Sequence, residues 1–135
     1  MSTAIQRLNP PALPDAGKIG YSQISIADPA RIAFVSGQVA WPVDGSATPA
    51  NLADQTTLMI AHLRSALASL NAQPSDILNL RLYLTEITEE GQQQVMGQLL
   101  SFLDGARPSL TGIGVKALAA PDLKIEVEMV VQVPA

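Results

Sequence analysis

The chain has 135 residues, 47% of them hydrophobic, and sets twelve acidic against eight basic side chains for a formal charge of −4. That length fits one domain, residues 1–135, burying about two-thirds of its unfolded surface, and the scattered basic residues exclude an electrostatic footprint for nucleic acid. With no cysteine and a single histidine, His62, disulfides, thiolate chemistry and a zinc site are excluded, and the carboxylates lack calcium-loop spacing.

Met1 to Pro14 holds polar residues and three prolines where a signal peptide needs an apolar run, so the start is expected to run extended over the surface. No stretch approaches the roughly 18 apolar residues of a membrane span. A cytoplasmic protein without a membrane partner is the expectation. Ser22 to Ala27 and Arg31 to Ser36 read as strands around the Asp28-Pro29 turn, a first hairpin. Gly37 follows, where a missing side chain permits a bulge or a close approach of backbone to a ligand. Trp41 to Ala50 has loop composition.

Asn51 is placed to cap a helix running to about Leu70, with Met59, Ile60, Leu63 and Leu67 on one stripe. Ile77 to Leu84 alternates, putting Leu78, Leu80, Leu82 and Leu84 on one side of a strand. Thr88 caps a second helix, with Val95, Met96, Leu99, Leu100 and Leu103 facing inward, and Asp104-Gly105 ends it. Two final runs, Arg107 to Ala117 and Leu123 to Val133, are expected to pair as an antiparallel hairpin about residues 119–122. In the second, Leu123, Ile125, Val127, Met129, Val131 and Val133 share one face, and Lys124, Glu126, Glu128, Val130 and Gln132 share the other.

The predicted fold class is α+β, one mixed sheet in the order β-β-α-β-α-β-β. Both helices are right-handed crossovers and lie on one face. The opposite face is left bare, yet Tyr83, Val130 and part of the Ile32–Val35 strand give it apolar bulk. Such a face predicts a homo-oligomer that buries it.

Three segments, Ile19-Gly20-Tyr21-Ser22-Gln23, Phe34-Val35-Ser36-Gly37-Gln38, and Ala106-Arg107-Pro108-Ser109 continuing to Lys124-Ile125-Glu126-Val127-Glu128, together resemble the RidA/YjgF family of reactive-intermediate deaminases. The resemblance implies a chorismate-mutase-like fold assembled as a trimer with clefts between subunits. It implies hydrolysis of 2-imino and enamine acids to 2-keto acids and ammonia, with no metal or cofactor. On this resemblance Arg107 matches the substrate arginine, suited to fork a carboxylate through two charge-assisted hydrogen bonds. Glu126 matches the residue that positions the attacking water. Tyr21, Ser36 and Gly37 match positions beside the ligand, Gln93 stands where many members have asparagine, and Ser109 where some have cysteine. Pro108, Gly112, Gly114 and the Trp41-Pro42 loop depart from the pattern and bear on the pocket's shape.

Ordinary alternatives accompany each assignment. Arg107 also suits a surface salt bridge, Glu126 a solvated strand face, Tyr21 a core edge, His62 helix packing and Trp41 a loop anchor. The imine deaminase reading competes with a non-enzymatic binder or sensor of small carboxylates using the same cleft. An RNA-cleaving role lacks the basic and aromatic surface it needs.

Overall fold

The computed structural model describes residues 4–135; residues 1–3 of the expected extended start lie outside them. In chain order come β1 (Gln6–Leu8), β2 (Ile24–Ile26), β3 (Ile32–Gln38), α1 (Leu52–Ser69), β4 (Ile77–Leu84), α2 (Glu89–Leu103), β5 (Ser109–Gly114) and β6 (Ile125–Gln132). The α+β class with two helices over a mixed sheet is what the sequence predicts. One short strand, β1, precedes the expected order.

Both helix starts follow from their caps. The Asp54 amide donates to Asn51 Oδ1 at 2.8 Å and the Gly91 amide to Thr88 Oγ1 at 3.0 Å, each satisfying an orphan donor of the first turn. At the end of α2, Asp104 and Gly105 turn left-handed with φ of 47° and 88°. Glycine adopts this conformation without strain.

Strand pairing differs from the sequence expectation in two places. The main sheet has the order β3-β6-β4-β5, with β4 and β5 parallel and β6 antiparallel to both β4 and β3. The expected β5–β6 hairpin is therefore absent, because β4 lies between the two strands. Burial explains the choice. The inner face of β6 carries Ile125, Val127, Met129 and Val131, all at most 1% exposed, and a central position hides those side chains on both flanks. On β5 the inner positions include Gly112 and Gly114, level with Leu82 and Leu84, and glycines gain little from a central place. The expected β2–β3 hairpin is also absent. Instead β2 pairs antiparallel with β1, and the ribbon joins β5 through one parallel bridge, Ser22 to Ser109. The expected single sheet is thus a four-stranded sheet plus this ribbon.

One core cluster lies between helices and sheet, built from Met59, Leu63 and Leu67 of α1, Val95, Leu99 and Phe102 of α2, and the inner residues of β4 and β6. On β4 the register shifts between Ile77 and Asn79. Leu78 is the extra residue of this bulge and is only half-buried, while Ile77 and Leu80 are both fully buried; the simple alternation of leucines fails there. The sheet's other face carries no helix. Phe34 stands 81% exposed on it and Ile32 37%, which is the bare apolar face expected from sequence.

Candidate functional site

The open face has two chemical ends. At one end, strand alternation directs Glu126 and Glu128 of β6 away from the helices, and register sets Glu126 beside Tyr83 and Glu128 beside Arg81. On the other flank, β3 pairs through Val35 with Met129 and then through Gln38 with Val127, so Ser36 and Gly37 form a bulge. A Cβ at position 37 would collide with the Glu126 carboxylate. The bulge expected at Gly37 is present, and the group lying against its backbone is the side chain of Glu126.

Partial burial first, and the neighbouring Glu128 charge second, push the Glu126 carboxyl above its usual range. Glu128 is held apart by its own partners. The Tyr83 hydroxyl donates to Glu128 Oε1, and Arg81 Nη1 lies 3.7 Å from the same oxygen. That hydrogen bond raises the Tyr83 phenol, with burial adding to it. A carboxyl with raised proton affinity, next to a fixed anion and a bare backbone, is suited to exchange a proton with a bound molecule.

The other end is organised by the bridge between Ser22 and Ser109. The Ser22 amide donates to the Pro108 carbonyl at 3.2 Å, which sets Tyr21 level with Pro108, the residue after Arg107, at the start of β5. Ser109 Oγ lies 2.9 Å from Ser25 Oγ, and Ser25 Oγ accepts from Arg7 Nη1 at 2.8 Å. Arg107 is exposed and donates through Nη1 to the Gly17 carbonyl at 3.3 Å. Pro108, which donates no hydrogen bond, is buried.

The structure therefore gathers Ser36, Gly37 and Glu126 at one end, and Tyr21, Arg107 and Ser109 at the other. Glu126 pairs with Tyr83, and Tyr83 with Ile113; at about 3.3 Å per residue, the run from Ile113 back to Arg107 spans about 20 Å. Within one chain Arg107 and Glu126 do not meet. Gln93 joins neither group, since it is exposed on α2 and lines a groove with Thr57, Arg64 and Gly97 on the helical side. His62 is a loop fastener: its Nε2 lies 2.8 Å from the Trp41 carbonyl, and Trp41 itself is half-exposed.

Sequence reasoning missed Arg81, Glu128 and Arg7 as site components and took Tyr83 only as bulk. Alternation along β4 and β6 carries the signal for Arg81, Tyr83 and Glu128. For Arg7 there is none, because its partners are remote in the chain.

A family model described as Endoribonuclease L-PSP matches residues 14–133. Among solved structures, a protein of unknown function from the conserved Rid family, YyfB from Yersinia pestis, is 30% identical, with a TM-score of 0.88 over 96% of this chain and 99% of its own. A YjgF/YER057c/UK114 family member from Mycobacterium tuberculosis is 22% identical with a TM-score of 0.65, covering 96% of this chain and 100% of its own. A putative endoribonuclease from Klebsiella pneumoniae is 18% identical with a TM-score of 0.69, covering 76% and 93%. The last two share the fold. No curated protein matches the chain.

Proposed function

The chain belongs to the YjgF/Rid family described as Endoribonuclease L-PSP, and from that premise we propose that it hydrolyses small 2-imino and enamine acids to 2-keto acids and ammonia. The observation that carries this reading is Glu126, pressed against the Gly37 backbone with its carboxyl raised by burial. In the reaction Glu126 accepts a proton from water as the oxygen bonds to the imine carbon. That proton passes to nitrogen, giving a carbinolamine; the carbinolamine hydroxyl proton then moves through Glu126 to the same nitrogen as the carbon–nitrogen bond breaks, so the carbonyl forms and ammonia leaves. Arg107 forks the substrate carboxylate through two charge-assisted bonds and aligns it for attack.

Because about 20 Å of sheet separates these groups in one chain, the site is composed of the Arg107 end of one copy and the Glu126 end of another. The apolar open face with Phe34 and Ile32 exposed supports such packing, with three copies as the family resemblance suggests. An acidic surface with pI near 4.7 does not favour RNA as substrate. Among the described residues no helix is long and apolar enough to cross a membrane.

The test generates imines with an amino-acid oxidase and follows keto-acid release with and without the protein. The expected result is acceleration that Arg107→Ala and Glu126→Gln each abolish. Unchanged hydrolysis with ligand binding still measurable by calorimetry would favour a carboxylate-binding role, the reading that the separation of Arg107 from Glu126 makes the natural rival.

A further inference from the structure

Arg107 shares a cavity of about 510 Å³ with a second guanidinium, that of Arg7; Asn9, Ser22, Ser75 and Asp76 complete its polar wall. This volume lies within the roughly 300–1,000 Å³ typical of small-molecule sites. The two arginines play different parts. Arg7 is fixed: it donates to Ser25 Oγ at 2.8 Å, to the Ile77 carbonyl at 2.8 Å and to the Ser75 carbonyl at 3.3 Å, so its charge is held beside the cavity with little entropy left to lose. Arg107 uses Nη1 on Gly17 and keeps the rest of its five-donor fork for a ligand.

Among the described residues the ion pair found is Arg81 with Glu128, so neither cavity arginine is matched by a carboxylate within ion-pair distance. The cavity does contain one acid, Asp76. It is 7% exposed and engaged, accepting the Gln73 amide through Oδ2 at 2.8 Å, where it caps the turn Pro74–Asp76. Two cations, one fixed and one free to turn, against one committed anion leave this lining positive, on a chain whose net charge is −4. Burial also pushes the Arg7 guanidinium below its ordinary value, the strain that an incoming anion relieves.

We propose that this cavity takes a small dicarboxylate, with Arg107 holding one acid group and Arg7 facing the other. The proposal rests on the reading in which Arg107 grips the substrate carboxylate. It deepens that reading by giving the imino acid an acidic side chain, and it makes Arg7 the residue that selects for it. The planar guanidinium of Arg107 suits the task by presenting parallel donors to a carboxylate, while Arg7, three of whose donors are committed, supplies a fixed positive charge and its remaining donors.

Calorimetry on the full chain at low salt, with succinate and 2-oxoglutarate against propionate and pyruvate, tests it. Both dicarboxylates are expected to bind at least tenfold tighter than the monocarboxylates, and Arg7→Gln should erase that margin. Since Arg7 also ties the ribbon to the main sheet, a second variant, Asn9→Asp, keeps the acceptor for the Gln23 amide while adding negative charge to the cavity. It should weaken dicarboxylate binding about tenfold with circular dichroism unchanged. Equal affinity for one and two acid groups, or a preference indifferent to Asn9→Asp, overturns the proposal. Imine hydrolysis without any dicarboxylate preference sinks this inference and spares the hydrolase reading. Dicarboxylate binding at the cavity without hydrolysis does the reverse.

Discussion

The two faces of the sheet are built to different rules. Under the helices, Leu63, Leu99, Ile125 and Val127 are wholly buried among other apolar side chains. On the open face Phe34 stands nearly bare, Arg81 and Tyr83 converge on Glu128, and Glu126 leans on a glycine. The helical side is finished within one chain. The open side has apolar surface without cover and charged groups at two distant ends, which is why the proposed site draws on two copies.

The largest expected break of this contrast is a cavity on the helical side. Leu63→Ala should cost about 2–5 kcal/mol in chemical denaturation, the range for a fully buried leucine. Phe34→Ser, by contrast, should leave the unfolding of the isolated chain within about 0.5 kcal/mol yet lower the mass seen by light scattering. If Phe34→Ser unfolds the chain instead, the two faces are not separable.

Gly37→Ala comes next, since its methyl group must displace the Glu126 carboxylate. The stability loss is expected to stay below about 1 kcal/mol, because the end of a flexible side chain can swing aside, but imine hydrolysis should be lost as the Glu126 carboxylate is displaced. Full activity would show that Glu126 does not need its contact with the bulge.

A smaller effect concerns pH. The Glu126 carboxyl is raised in the folded chain, so the folded state holds its proton more firmly than the unfolded state does. Its contribution is therefore fully present below the unfolded carboxylate range and is lost as pH rises through the folded value. Glu126→Gln, which cannot ionise, should melt higher than wild type at pH 7, with the gap closing toward pH 4. A gap that widens in acid would contradict the assigned burial. Smallest is Arg81→Ala: its pair with Glu128 is solvent-exposed, so thermal unfolding should reveal less than about 1 kcal/mol.

What was legible in the sequence is what depends on near neighbours. Asn51 and Thr88 announce their helices because a cap acts within one turn. The period-two run from Leu123 to Val131 separates the core side of β6 from the side bearing Glu126. Strand partners were illegible, since a turn between two strands favours a hairpin locally while burial of the whole β6 inner face decides its neighbours globally. The bulge at Leu78 escaped for the same reason. At the site, Gly37 could be singled out as a bulge position, but Glu126 as the group against it depends on register. The join of Tyr21 and Ser22 to β5 was equally hidden, because it spans most of the chain.

The central claim is that Arg107 and Glu126 act together only across a boundary between copies. Mixing Arg107→Ala with Glu126→Gln, under conditions where subunits exchange, tests it most directly. Each variant alone should be inactive in the oxidase-coupled assay, and the mixture should recover about a quarter of the wild-type rate, the share of interfaces that random assembly leaves with both groups intact. A mixture that exchanges subunits yet stays as inactive as either parent would contradict the account.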